Sequence, residues 1–212
     1  MNCQLTWISD PHFSAIYALR SRAMGRTFVD EKLADALTEF AQRVDLTDPN
    51  WRDQQVKLNS PNHTATEHQT LLRAANAKIT EFHPRLTEEL LLRQRPLREL
   101  WEAHGPGLLQ QISGQQPLEL PPKAQIVTVL PFHGGGGEAI AEHQSVVIET
   151  VLANPISTLP EILRLAWLIA QLSPNSDPQK LISSCLAAGC ELGIVHGDLE
   201  HAAQKAWLPS TP

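Results

Sequence analysis

Cysteine is scarce in this 212-residue chain, and its arrangement excludes a disulfide framework. Cys3, Cys185 and Cys190 are odd in number and have no metal-type spacing. Cys185 and Cys190 stand five apart in a helical stretch and read as packed thiols, so a reducing, cytoplasmic compartment is expected. Charge of either sign never gathers into a run, which excludes a basic tail or an acidic arm. With a formal net charge of −6, affinity for nucleic acid or for an anionic membrane surface is not expected. Long hydrophobic runs are also missing: the most apolar segment, ILRLAWLIAQL, has Arg164 inside it and is too short to span a bilayer. The opening MNCQLTWISDPHF lacks a basic segment followed by an apolar one, so no signal peptide is expected.

Catalytic signatures are missing as well. No serine sits in a Gly-x-Ser-x-Gly elbow, and no Gly-Lys-Ser/Thr follows the glycine-rich stretch. The segments around Cys185 and Cys190 offer no electropositive setting to activate a thiol. His196 and His201, five apart, do not share a helical face and read as surface residues.

What remains is the composition of an ordinary globular protein, 42% hydrophobic and 19% charged, read as a single domain over 1–212. The N-terminal half, 1–114, has helical patterning. Asp10 as cap, Pro11 in the first turn and Gly25 as terminator bound a first helix. A second has Leu33, Leu37 and Phe40 on one face, and 46–62 reads as a loop rich in Pro, Asn and Asp. A third helix ends near Pro84. Two or three short helices then follow, divided by Pro96 and by Gly105-Pro106-Gly107. From residue 124 the pattern turns β-branched: AQIVTVLPF and HQSVVIETVL are strand-length and read as a hairpin over 124–152 with a long glycine loop. TLPEILRLAWLIAQLS is apolar nearly all round and predicts a buried helix, with Thr158 as cap and Pro160 in its first turn. That unit runs over 124–173. C-terminal helices are expected within 177–208, the first opening at Asp177-Pro178 and ending at Gly193. The small residues of SSCLAAGCELG allow close packing, within the monomer or across a homodimer.

The candidate site is LPFHGGGGEAIAEH. A phosphate cradle needs a helix after its glycines, whereas a strand is expected here. His133, Glu138 and His143 make up an alternative metal set, two imidazoles and a carboxylate, although four glycines impose no rigid spacing on them. The alternative is a turn with solvated polar residues at its base, and on that reading shortening Gly134–Gly137 leaves the fold intact. Glycines that let a partner backbone approach closely give a binding reading for Gly134, Gly135, Gly136, Gly137 and Glu138. Glu149 shares a strand face with Val147 and Val151 and needs a partner if buried. Arg95, Arg98 and Arg164 are the available cations, and a structural Glu–Arg pair is expected; the alternative is a substrate-binding carboxylate, on which Glu149 with Arg164 completes the binding set.

Three resemblances bear on this. ISDPHF resembles the Asp-x-His of metallophosphoesterases, but of their further segments only a Gly-Asp, at Gly197–Asp198, is present, and out of order. RPLRELWEAHGPGLL, GGGGEA, VVIETVLANP and LPEILRLAWLIAQL resemble, over 95–172, an uncharacterised family of bacterial proteins, which implies no activity. The order of elements there is also similar to that of zincin metallopeptidases, whose second strand binds substrate by strand addition and whose buried helix carries His-Glu-x-x-His. EILRLAWLIAQ has no histidine, and Arg164 and Trp167 stand in its place, so the zincin resemblance implies a metal-free relative. The expectation is therefore an α+β protein, mainly helical with a small antiparallel sheet that includes the 124–152 hairpin. It is read as a non-catalytic binding or scaffold protein with no cofactor, engaging a protein or peptide partner through the hairpin edge and the glycine loop. The alternative is a metal-dependent hydrolase.

Overall fold

The computed structural model describes residues 3–48, 51, 65–152, 156–174 and 176–208. Most of the expected 46–62 loop lies outside them. The chain is α+β, with seven helices and a four-stranded mixed sheet among the described residues.

Strand β1 (Gln4–Ile8) leads through Asp10 into α1 (Pro11–Ala23), where the Asp10 carboxylate accepts the His12 amide at 2.8 Å. Gly25, at φ +75°, ends that turn as expected. Helices α2 (Glu31–Ala41) and α3 (Ala65–Phe82) follow. The short helices expected after Pro84 are instead one helix, α4 (Leu86–Gln115), containing both Pro96 and Pro106. A continuous buried stripe of Leu86, Leu90, Leu97, Trp101, Leu108 and Ile112 overrides the breakers. Both prolines sit on the exposed side, where water can take the carbonyls they leave unpaired. Gly105 is a packing residue here, since a Cβ on it would meet the Trp101 indole at 2.4 Å.

The sheet differs from the expected antiparallel one. Its order is β1-β2-β4-β3, with β2 at Lys123–Val129, β3 at Gly137–Ile140 and β4 at Ser145–Glu149. β1, β2 and β4 run parallel, and only β3 is antiparallel, to β4. The two β-rich segments expected to form a hairpin are therefore parallel neighbours. The hairpin is β3–β4, closed by a 3₁₀ turn at Ala141–His143 and by Gln144 at φ 50°. A four-residue strand opening on glycine carries too weak a pattern to be read locally. β4, the strand that corresponds to the edge in the zincin resemblance, is internal, and the edges are β1 and β3.

Helices cover both faces. Val127, Val129, Ile140 and Val147 join α1–α3 in one apolar cluster. Ala124, Ile126, Val146 and Ile148 join the second, with α5 (Glu161–Ala170), α6 (Pro178–Glu191) and α7 (Glu200–Trp207). α4 spans the two, with Leu86 and Leu90 in the first cluster and Leu97 onward in the second. α5 is buried from Ile162 to Ala170, as its all-round hydrophobicity requires. Its cap position is Pro160 and has no side-chain bond, so Thr158 does not cap it. α6 opens on Asp177 as expected, and Gly193 follows its end at φ +67°. Cys185 is buried, whereas Cys190, expected to be packed, is exposed. No described helix is long and apolar enough to cross a membrane.

Candidate functional site at the carboxyl edge of the sheet

The strand order dictates what the glycine loop must do. β2 ends at Val129 and β3, two places away, starts at Gly137 beside Ile148. The connection therefore crosses the carboxyl end of β4, whose last residue is Glu149. That end of parallel strands is where open α/β sheets bind ligands.

Glu149 is fully buried. Its carboxylate accepts the His133 amide at 3.0 and 3.2 Å and the Gly135 amide at 2.8 Å. Its own amide donates to the Gly136 carbonyl at 3.0 Å. The loop is therefore wrapped around a carboxylate, not the solvated turn weighed from sequence. Gly134 (φ +74°) and Gly135 (φ +130°) adopt conformations that favour glycine. Cβ atoms at Gly135 and Gly136 would come within 2.9 Å of Arg164 Nη1 and Tyr17 Oη respectively.

Arg164, 3% exposed, answers the expectation of a Glu–Arg pair in an altered form. It donates to the Glu149 carbonyl at 2.7 Å, while its charge is matched by the Glu161 carboxylate one turn earlier. Arg95 and Arg98 instead pair on the surface with Glu99 and Glu102. Burial pushes the Glu149 carboxyl up to about 7, against the pull of the loop amides and Arg164. Burial also raises Glu161, which Arg164 offsets.

His133 places Nδ1 2.7 Å from the Thr27 carbonyl, which assigns the ring proton to Nδ1. Its Nε2 lies 3.7 Å from Glu149 Oε1, beyond hydrogen-bond range. Burial lowers its pKa, which keeps the imidazole neutral. The Val29 amide donates to Phe132 at 2.7 Å, so residues 27–29 are fastened to the loop. Tyr17, the chain's single tyrosine, is buried against the His133 and Phe132 rings. Its hydroxyl has no hydrogen-bond partner among the described residues, and burial raises its pKa.

The structure thus gathers Gly134, Gly135, Gly136, Glu149 and Arg164 into one site and adds Tyr17, His133 and Glu161, which the sequence reading did not include in the binding set. A lone phenol in the apolar FSAIYAL stretch was the available signal for Tyr17. Gly137 begins β3 against Leu168. Glu138 faces α1 and pairs with Arg20 at 3.1 Å. His143 lies in the turn at the far end of β3, so a whole strand separates it from His133, and the set His133, Glu138 and His143 does not converge. Among the described residues, no group of three His, Cys, Asp or Glu side chains is placed to hold a metal ion. Cavities of about 390 and 420 Å³ occur elsewhere; neither is lined by the loop or by Glu149.

Comparison of the chain with protein-family models, with curated proteins and with solved structures gave no match.

Proposed function

We propose that this is a non-catalytic binding protein that takes an extended segment of a partner protein along edge strand β3, beside the glycine loop. The observation that carries this reading is the edge position of β3, which pairs with β4 on one side only. The bond from the Glu149 amide to Gly136, taken with the β3–β4 register, makes 136/149, 138/147 and 140/145 the hydrogen-bonded pairs. The backbone groups of Gly137 and Ala139 then point away from β4, which is what strand addition requires. The two charged groups of the site that could otherwise do chemistry are engaged internally: the Glu149 carboxylate holds the loop, and Arg164 holds Glu161 and the Glu149 carbonyl. The free thiols, one of them exposed, suit a reducing, cytoplasmic setting.

The test is selection of a random heptapeptide display library on the purified protein, with Ala139→Pro as counter-selection. Proline at Ala139 removes an outward amide and leaves the β4 ladder intact. Peptides that bind the parent chain at micromolar Kd and not the variant are expected. No enrichment, or equal binding by the variant, would refute strand addition.

A further inference from the structure

The outer face of α4 bears an apolar stripe that is open to solvent. Leu92 is 66% and Leu100 44% exposed, and Pro96 lies between them at helical spacing. One flank of the stripe carries Arg95 and Glu99, paired along the helix at 2.7 Å, with both side chains largely solvent-exposed.

The apolar row reads the same in both directions, and the charged pair reversed is its own complement. Leu92 and Leu100 are equidistant from Pro96, while Arg95 and Glu99 are centred one residue further on. An interface between identical copies related by a two-fold axis must be self-complementary, residue i meeting j while j meets i. Two antiparallel copies of α4 crossing at Pro96–Leu97 satisfy that condition. Leu92 of each then lies on Leu100 of the other. Because like flanks face each other in an antiparallel pair, Arg95 of each also reaches Glu99 of the other. The four-residue spacing that serves the pair within one helix serves it again across the axis.

We propose that the chain forms a two-fold homodimer through the outer face of α4. This rests on α4 alone and is independent of the reading of β3. A single helix face buries little area, so association belongs at micromolar Kd, and its charged flank makes it weaken with salt.

The test is sedimentation velocity on the full chain from about 1 μM to about 1 mM. A concentration-dependent dimer is expected, lost in Leu92→Glu/Leu100→Glu with the far-UV circular dichroism unchanged. Arg95→Glu sets carboxylates against each other and weakens association about tenfold or more. Arg95→Glu/Glu99→Arg restores opposite charges across the axis and recovers it. A chain monomeric at about 1 mM, a dimer indifferent to the leucine substitutions, or an exchange that fails to recover association overturns the proposal.

Discussion

The amide of Gly135 donates to the carboxylate of Glu149 over 2.8 Å, joining the middle of the glycine loop to the end of the strand that the loop must cross. Most of the expected behaviour of the site depends on that bond and on the burial of its acceptor.

Stability should fall as pH rises through the acid range. Burial holds the Glu149 carboxyl at about 7 in the folded chain, against 4.5 for the free group. Between those values the folded state binds more protons than the unfolded one, so unfolding free energy declines with pH and levels off above about 7. The contribution is on the order of 3 kcal/mol. Glu161, also raised, acts in the same direction, and His133, lowered, acts against it. Urea melts at pH 5 and pH 8 should show the decline in the parent chain and a much smaller one in Glu149→Gln. Equal slopes for the two would show that Glu149 is not the titrating group.

The glycines of the loop should not be replaceable. At Gly135 a Cβ meets Arg164 at a φ of +130°, and at Gly137 it meets Leu168 at 2.6 Å and the Val147 carbonyl at 2.8 Å. Alanine at either position should cost about 1–3 kcal/mol. Deleting residues from Gly134–Gly137 should abolish cooperative unfolding, because the loop has to cross β4. This reverses the outcome expected from sequence. Gly114→Ala, with nothing within 4 Å, is the control and should stabilise by about 0.5–1 kcal/mol.

Arg164 should be more important to its partners than to itself. Arg164→Met leaves Glu161 partly buried without its cation and the Glu149 carbonyl without this donor, a loss of about 3–5 kcal/mol by the behaviour of broken buried pairs. Arg164→Met/Glu161→Met should cost less than the single change. Denaturant melts of the three chains decide it, and additive losses would count against a coupled pair.

Elemental analysis of tag-free protein purified without chelator should find no stoichiometric zinc or manganese held by His133, Glu138 and His143, because the two histidines lie beyond opposite ends of β3 and Glu138 is paired with Arg20. Metal that is lost in His133→Ala/His143→Ala would instead bring the hydrolase reading back.

On α4, Gly105→Ala should destabilise by about 1–3 kcal/mol, since the Trp101 indole stands 2.4 Å from the new Cβ. Pro106→Ala, on the exposed side, should stabilise by restoring an amide donor. Thermal melts with opposite shifts would confirm that Gly105-Pro106-Gly107 is a helical packing element and not a break.

Local chemistry made much of this fold legible. Asp10-Pro11 and Asp177-Pro178 start helices because a carboxylate can take the free amides of a first turn. Gly25 and Gly193 follow helix ends because a glycine accepts positive φ without strain. The apolar run Ile162–Ala170 had to be buried, and Glu149 within a hydrophobic strand had to find donors. All of these are properties of a few adjacent residues. α4 was misread because Pro96 and Gly105 break helices only when no buried stripe holds them in place, and that stripe emerges from packing over 30 residues.

The tertiary structure alone decided the rest. β1 was not legible because it pairs in parallel with a strand more than a hundred residues away, and parallel pairing leaves no turn signal in the sequence. The direction of β2 against β4 depended on whether the intervening chain contained a strand of its own. Once β3 took the edge, the glycine loop had to cross Glu149, and its amides became the donors that the buried carboxylate required. The need for a partner was written in the sequence, and the choice of partner was set by strand order.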